Sequence, residues 1–483
     1  MLRCILVSSY LSGSEGKNKL RYFERLDTAL REMGHRLLLL NTESKQVQSA
    51  CDTAHLPVFI EKAHHLRLEG CLNEEALAPS VRHAASIDAG EWRRDPLADA
   101  VRALFFRAYL RELVREYDPA LCVFWHQFNS LHYSMPDFCT GLGIPMLYAE
   151  YGSLPATIAF DSEGQMAESW AARRSDDFLN LPVSDEELSR ARRFLELARK
   201  QKRTRKPLTA PASIQAVSEA AARSGRRLVF YAGQHDYKTG MAPRSLPNAE
   251  LHSPFFESTA DALRHLCAIA EERNWHILFK PHPLAGHLLK RADMPGTDWL
   301  DVVPGADIFE CMHAAAVTLT IVSQVSYMAL LHNRPCVLLG RNQLSGKGCL
   351  YEPSSRENVG DLIDEAIGAG LTQQRRDAWI KHSAQLLGHA LYAFEEDVEP
   401  IIGRDVHEAA SFLVEYAEKA SADHKAPSAE SVGRPFGDDL ADDETARYLG
   451  KRYALLRRID PVAGPLLKGF TGLLAPLLRR PGS

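Results

Sequence analysis

Arg227-Leu228-Val229-Phe230-Tyr231-Ala232-Gly233-Gln234-His235-Asp236-Tyr237-Lys238-Thr239-Gly240-Met241 changes character after its sixth residue. The opening residues form an apolar run of strand formers, and the remainder is polar and titratable between two glycines. A short buried strand that empties into a reactive loop is the building unit of parallel α/β sheets, whose ligands bind outside the carboxyl ends of the strands.

The same alternation continues on both sides of this stretch. Downstream, a Ser258-x-x-Asp261 capping pattern opens a helix over Thr259 to Arg273. Strands His276 to Lys280 and Val317 to Val322, a helix Gln324 to His332 and a strand Pro335 to Leu339 follow. Helices over Val359–Ala369, Gln373–Phe394 and Val406–Lys419 complete this block. Upstream, the pattern predicts strand Arg3–Ser8, helix Lys19–Met33 ended by Gly34, and strand His35–Leu40. A helix from Pro96 then carries Val101, Leu104, Phe105, Leu110 and Leu113 on one face, before strands Leu121–Trp125 and Pro145–Ala149. The polar helical stretch Glu186–Lys206, ending in Arg199, Lys200, Lys202, Arg203, Arg205 and Lys206, connects the two blocks. The fold class expected is α/β, with two Rossmann-like domains facing each other across a cleft: residues 1–206 with the connecting helix, then 207–420. Residues 421–444, dominated by Ala, Ser, Pro, Gly and Asp, read as a flexible linker, and 445–483 as an amphipathic tail.

Composition narrows the function. The chain of 483 residues is 45% hydrophobic and 25% charged, with 57 basic and 62 acidic residues and a net charge of -5. That is a globular composition without the basic excess of a nucleic-acid binder. Nine cysteines lie without a Cys-x-x-Cys pair or a Cys/His cluster at zinc-ligand spacing, which predicts reduced thiols in a cytoplasmic protein. The apolar start is too short for a signal peptide, and no segment is long enough to span a membrane. Neither first strand is followed by Gly-x-Gly-x-x-Gly and no P-loop is present, which disfavours a dehydrogenase and a P-loop ATPase.

Five loops at strand ends carry the candidate chemistry. Gln234 and Asp236 follow the strand Arg227–Ala232. His282, held extended between Pro281 and Pro283 beside Lys280, suits a departing phosphate. Ser323, Gln324 and Ser326 open a helix, where hydroxyls and free N–H groups favour an anion. In the first block, Tyr148-Ala149-Glu150-Tyr151-Gly152-Ser153-Leu154-Pro155 brings Glu150 and Gly152 to a strand end, with Thr157 and Asp161 beyond, and His126 follows Trp125 on the acceptor side. A second carboxylate, Glu150, complementing Asp236 is what glycosyl transfer needs: one group at the anomeric carbon, one for the acceptor proton.

The Lys280-Pro281-His282-Pro283, Glu150-x-Gly152-x-Leu154-Pro155 and Tyr231-to-Asp236 segments and the Ser323-to-Ser326 helix start, taken in their order and spacing over roughly residues 1–400, resemble the bacterial retaining β-Kdo glycosyltransferases of capsule and lipopolysaccharide O-antigen assembly. The resemblance implies a GT-B fold that takes Kdo from CMP-Kdo, with the donor on the C-terminal domain and a glycan or lipid-linked acceptor on the N-terminal one. It implies Asp236 as nucleophile, Glu150 as general acid/base, and His282, Lys280, Ser323 and Ser326 around the CMP phosphate, with no cofactor or metal beyond the donor. The chain departs from related capsule enzymes at Ser326 and Met328, where those carry Gly and Glu. A transferase for another sugar, a GT-B-fold epimerase and a non-catalytic membrane-tethered module are the competing expectations.

From Arg447 to Ser483 there are eight basic residues and one acid, Asp460. Leu449, Tyr453 and Leu456 recur at helical spacing with charge largely opposite, as in helices that lie on an anionic membrane surface. The expectation is a peripheral protein on the inner face of the cytoplasmic membrane.

Overall fold

The structure, a computed structural model, describes residues 2–201, 214–289, 294–423, 436 and 439–478. It divides into two compact units: Met1–Glu150 with Asp405–Ser483, and Tyr151–Arg404. The division differs from the sequence expectation because the helix Val406–Asp423 packs on the first unit, and the helix Asp185–Gln201 packs on the second.

The first unit is built on five parallel strands: β1 (Arg3–Ser9), β2 (His35–Asn41), β3 (Asp52–His55), β4 (Pro119–Trp125) and β5 (Met146–Tyr151). They lie in the order β3-β2-β1-β4-β5, with Leu6 paired to Leu38 on one side and to Cys122 on the other. β1 is buried throughout except at Arg3, as expected of a parallel strand covered on both faces. Helix α1 (Gly13–Glu32) crosses from β1 to β2 and stops where Gly34 takes a left-handed φ of 78°. A Cβ on Gly16 would lie 2.1 Å from the Leu11 carbonyl carbon, so only glycine lets the first turn of α1 seat on the loop after β1. α2 (Pro79–Trp92) and α3 (Pro96–Tyr117) cover the other side.

Part of the expected linker belongs to this core. Phe436 stacks on Phe105, Leu440 is buried, and Asp439 pairs with Arg107 at 2.6 Å and Arg111 at 2.8 Å. Two buried guanidiniums on an apolar helix require a carboxylate, and the chain supplies one from far along its length. The tail expectation changes as well. Leu449, Tyr453 and Leu456, at the start of the helix Asp443–Leu478, are buried against Phe59, Phe105 and their neighbours. Their apolar stripe packs on protein, not lipid. No described helix is long and apolar enough to cross a membrane.

The second unit repeats the plan. After β6 (Thr157–Asp161) come β7 (Arg227–Ala232), α4 (Thr259–Ala270), β8 (Trp275–Lys280), β9 (Leu300–Val302), β10 (Val317–Thr320), α5 (Val325–Leu331) and β11 (Cys336–Leu338). The parallel sheet runs β9-β8-β7-β10-β11, the same order as in the first unit. Ser258 caps α4 by accepting from the Asp261 N–H at 3.1 Å. The expected long helix Gln373–Phe394 ends at Gln385, passes through a wide turn over Leu386–Ala390, and becomes β12 (Leu391–Ala393), antiparallel to β6. The apolar run Leu391-Tyr392-Ala393 is buried as a strand there. Of the connecting stretch, Asp185–Gln201 is helical; Lys202, Arg203, Arg205 and Lys206 lie outside the described residues.

Candidate functional site

In both sheets the first strand lies between neighbours whose connections run in opposite directions, which makes a topological switch point: β1/β4 in the first unit and β7/β10 in the second. The loops singled out from sequence lie at the carboxyl ends of β4 and β5 in the first unit and of β7, β8 and β10 in the second.

At the β7/β10 point, Gln234 is buried, accepts from the Val322 N–H at 2.9 Å, and reaches Met241 Sδ with its amide nitrogen. It ties the two strand ends together. Asp236 is partly exposed as a residue, yet its carboxylate reaches back to the start of α4. The Thr259 N–H donates to Oδ2 at 3.0 Å and the Thr259 hydroxyl to Oδ1 at 2.5 Å. Burial pushes the Asp236 carboxyl up, and the Thr259 donors with His235 and Gln234 pull it back. A carboxylate so held is fixed in orientation and sits at the positive end of a helix.

His235 stands edge-on to His282 at 5.7 Å and to His287 at 6.2 Å, so three imidazoles meet beside Asp236. The His282 Nδ1 accepts from the Leu284 N–H at 3.2 Å, which makes Nε2 the donor nitrogen of the ring. Lys280 does not join them: its ammonium donates to the Pro304 carbonyl at 3.0 Å, and burial lowers its pKa. Ser326 is also committed internally, donating to the Ser323 carbonyl at 2.9 Å and accepting from Asn342 at 3.1 Å. Ser323 Oγ accepts from the Val325 N–H at 3.3 Å, and the Gln324 amide donates to the Gly152 carbonyl at 3.4 Å. Gly152 is a packing glycine, since a Cβ there would lie 2.0 Å from Thr157 Oγ1. Asp161 accepts from the Glu163, Gly164 and Trp170 N–H groups and closes a turn.

At the β1/β4 point of the first unit, His126 follows β4 with a φ of 67°, a strained conformation for a residue with a Cβ. Its Nδ1 is 3.9 Å from Glu150 Oε2 near the end of β5. Lys19 of α1 is 1% exposed, with Nζ 4.8 Å from the Trp125 ring centre and 5.5 Å from that of Tyr10. Burial pulls Lys19 down to about 8, against the opposing pull of Glu15 and Glu150. Behind them His132 Nδ1 donates to the Trp125 carbonyl at 2.9 Å while Nε2 accepts from the Ser8 hydroxyl at 2.9 Å, and burial holds it down at about 4. Among the described residues no cluster of His, Cys, Asp and Glu could hold a metal ion, and none of the nine cysteines is in a disulfide.

No family model and no curated protein matches the chain. Among solved structures it is similar to two KpsC proteins of Thermosulfurimonas dismutans. The β-Kdo 2,7 transferase has 16% identity and a TM-score of 0.35, over 54% of this chain and 79% of that one. The β-Kdo 2,4 transferase has 16% and 0.39, over 55% and 79%. The Methanocaldococcus jannaschii UDP-GlcNAc 2-epimerase, in complex with UDP-GlcNAc and UDP, has 10% and 0.34, over 80% and 100%. At these values the similarity carries neither substrate nor mechanism. The α/β fold with two Rossmann-like units, the make-up of a GT-B protein, rests on the strand orders and registers above.

Two residues of these clusters escape the sequence reading. Thr259 grips Asp236 from 23 positions away, and the helix-cap pattern marks only that a helix starts there. Lys19 left a trace: it falls on the same helical stripe as Tyr22, Phe23 and Leu26, a charge on the buried face.

Proposed function

We propose that the protein is a glycosyltransferase that moves Kdo from CMP-Kdo to a cell-surface glycan or glycolipid with retention of configuration. One observation carries this reading: a carboxylate, Asp236, at the carboxyl end of the first strand of a Rossmann-like sheet, oriented by two donors and flanked by His235 and His282.

In the proposed reaction an Asp236 oxygen attacks the anomeric carbon of Kdo as the bond to the CMP phosphate oxygen breaks, and the electron pair leaves with CMP. The His282 Nε2–H stabilises the charge that develops on that phosphate. An acceptor hydroxyl then gives up its proton to a general base and attacks the same carbon, expelling Asp236. Two inversions give retention. The distal half of the helix Asp443–Leu478, with the basic residues around it, is proposed to dock on an anionic membrane.

The test is incubation of the full chain with CMP-Kdo, or with UDP-linked sugars, and candidate lipid-linked acceptors, followed by mass spectrometry of product and protein. CMP release with CMP-Kdo alone, a retained anomer and a covalent sugar adduct lost in Asp236→Ala are expected. Near-normal turnover of Asp236→Ala, an inverted product, or turnover of a UDP-sugar instead would overturn the reading.

A further inference from the structure

We propose that the crevice between the carboxyl ends of β1 and β4 binds the acidic group of a sugar, with the Lys19 ammonium as its counter-ion and the Tyr10 ring as the surface on which the sugar lies. The sugar is taken from the function proposed above; the acid comes from Lys19 itself.

Burying an ammonium costs several kcal/mol unless it is paired and hydrogen-bonded. The second unit shows how this chain treats a structural lysine: Lys347 Nζ donates to the Ala171 carbonyl at 2.8 Å, the Ser175 hydroxyl at 2.6 Å and the Ser345 carbonyl at 3.3 Å. Lys19 is more deeply buried, yet among the described residues its Nζ donates no hydrogen bond. It meets two ring faces and, at 3.9 Å, the carboxylate of Glu15, whose own side chain is 62% exposed. A second orphan lies nearby in sequence. Ser12, the N-cap of the 20-residue α1, is buried, and its hydroxyl has no hydrogen-bond partner among the described residues. A long helix N-terminus with an idle hydroxyl and a buried cation with idle donors both favour an oxyanion. They occur at a switch point, where open α/β sheets bind ligands.

Tyr10 completes the site. It is 45% exposed beside a buried cation, and an exposed aromatic face is the usual platform for the apolar face of a sugar ring. The His126–Glu150 pair stands at the adjoining strand ends, so a sugar anchored by its acid on Lys19 presents hydroxyls on the side of a carboxylate. Carboxylate and phosphate share this chemistry, and the probes separate them.

Saturation-transfer difference NMR on the full chain, without donor, is run with glucuronic acid, glucose 6-phosphate and glucose. Signal from glucuronic acid, from glucose 6-phosphate or from both, with none from glucose, is expected, and the responding probe identifies the anion. Lys19→Met should abolish that signal, and Tyr10→Ala should weaken it. Equal signals from glucose, or acid signals unchanged in Lys19→Met, overturn the proposal. Should Lys19→Met fail to fold, Tyr10→Ala decides, because Tyr10 is at the surface: unchanged acid signals there are equally fatal. Acid binding by a chain that releases no CMP would refute the function proposed above and leave this site standing; CMP release without acid preference would do the reverse.

Discussion

Replacing Thr259 by valine keeps the backbone N–H that donates to Asp236 Oδ2 at 3.0 Å and removes the hydroxyl that donates to Oδ1 at 2.5 Å. Hydrogen bonds to charged groups contribute about 1.5–3 kcal/mol. If the hydroxyl orients the attacking carboxylate, its loss should lower kcat by roughly 10- to 150-fold at unchanged KM, since each 1.36 kcal/mol on the barrier is about tenfold. Burial already raises the Asp236 pKa, and Thr259 is the largest opposing influence. The variant therefore raises it further, and the acid limb of the pH–rate profile moves up. The stability sign follows. A carboxyl whose folded pKa lies above its unfolded value binds more protons when folded, so its cost grows as pH rises past the carboxylate range. Thr259→Val should thus lose more stability at neutral pH than in acid, while Thr259→Ser should behave as wild type. Steady-state kinetics across pH, with thermal unfolding alongside, makes the measurement. An unmoved acid limb, or a serine variant as impaired as valine, would refute the reasoning.

His282→Ala should cost on the order of 100- to 1,000-fold in turnover with little change in melting temperature, because a preorganised donor to the leaving group is lost. Asp439→Asn should destabilise the first unit by about 3–5 kcal/mol in denaturant titrations, since Arg107 and Arg111 lose their shared counter-ion. His132 is held near 4 by burial, against 6.5 when free. The unfolded state binds the extra proton in that window, so His132 contributes stability above it that is lost as pH falls from 6.5 toward 4, roughly 3 kcal/mol in all. His132→Gln should flatten that slope in denaturant titrations across the window. Truncation at residue 461 should release the protein from anionic liposomes while preserving transfer to a soluble acceptor; equal sedimentation of both forms with the liposomes would refute membrane docking.

What the sequence makes legible is local. β7 runs over the same residues as its apolar run, α1 stops before Gly34, and Ser258 caps the helix it announces. These features depend on neighbours in the chain. Composition misleads where distant partners decide: residues 421–444 look like a linker because no local pattern reveals that Arg107 and Arg111 await Asp439. The Leu449, Tyr453 and Leu456 stripe shows the limit from another side. An amphipathic helix announces that one face is covered, and its period is identical whether lipid or protein covers it. In the site, the strand ends are readable, but the direction of each side chain is not. Lys280 sits beside His282 in sequence and spends its ammonium on Pro304.

The first unit is assembled from two stretches separated in the chain by the whole of the second. During synthesis this imposes an order. Arg107 and Arg111 leave the ribosome long before Asp439, by roughly 15 to 60 s at about 5–20 residues per second. Through that interval the nascent first unit lacks Phe436, Leu440, Leu449 and Tyr453 from its core, and before it ends Arg404 has been added and Tyr151–Arg404 has every residue of its own sheet. The inserted unit can therefore mature on the ribosome first, and the unit made of the two flanking stretches closes last.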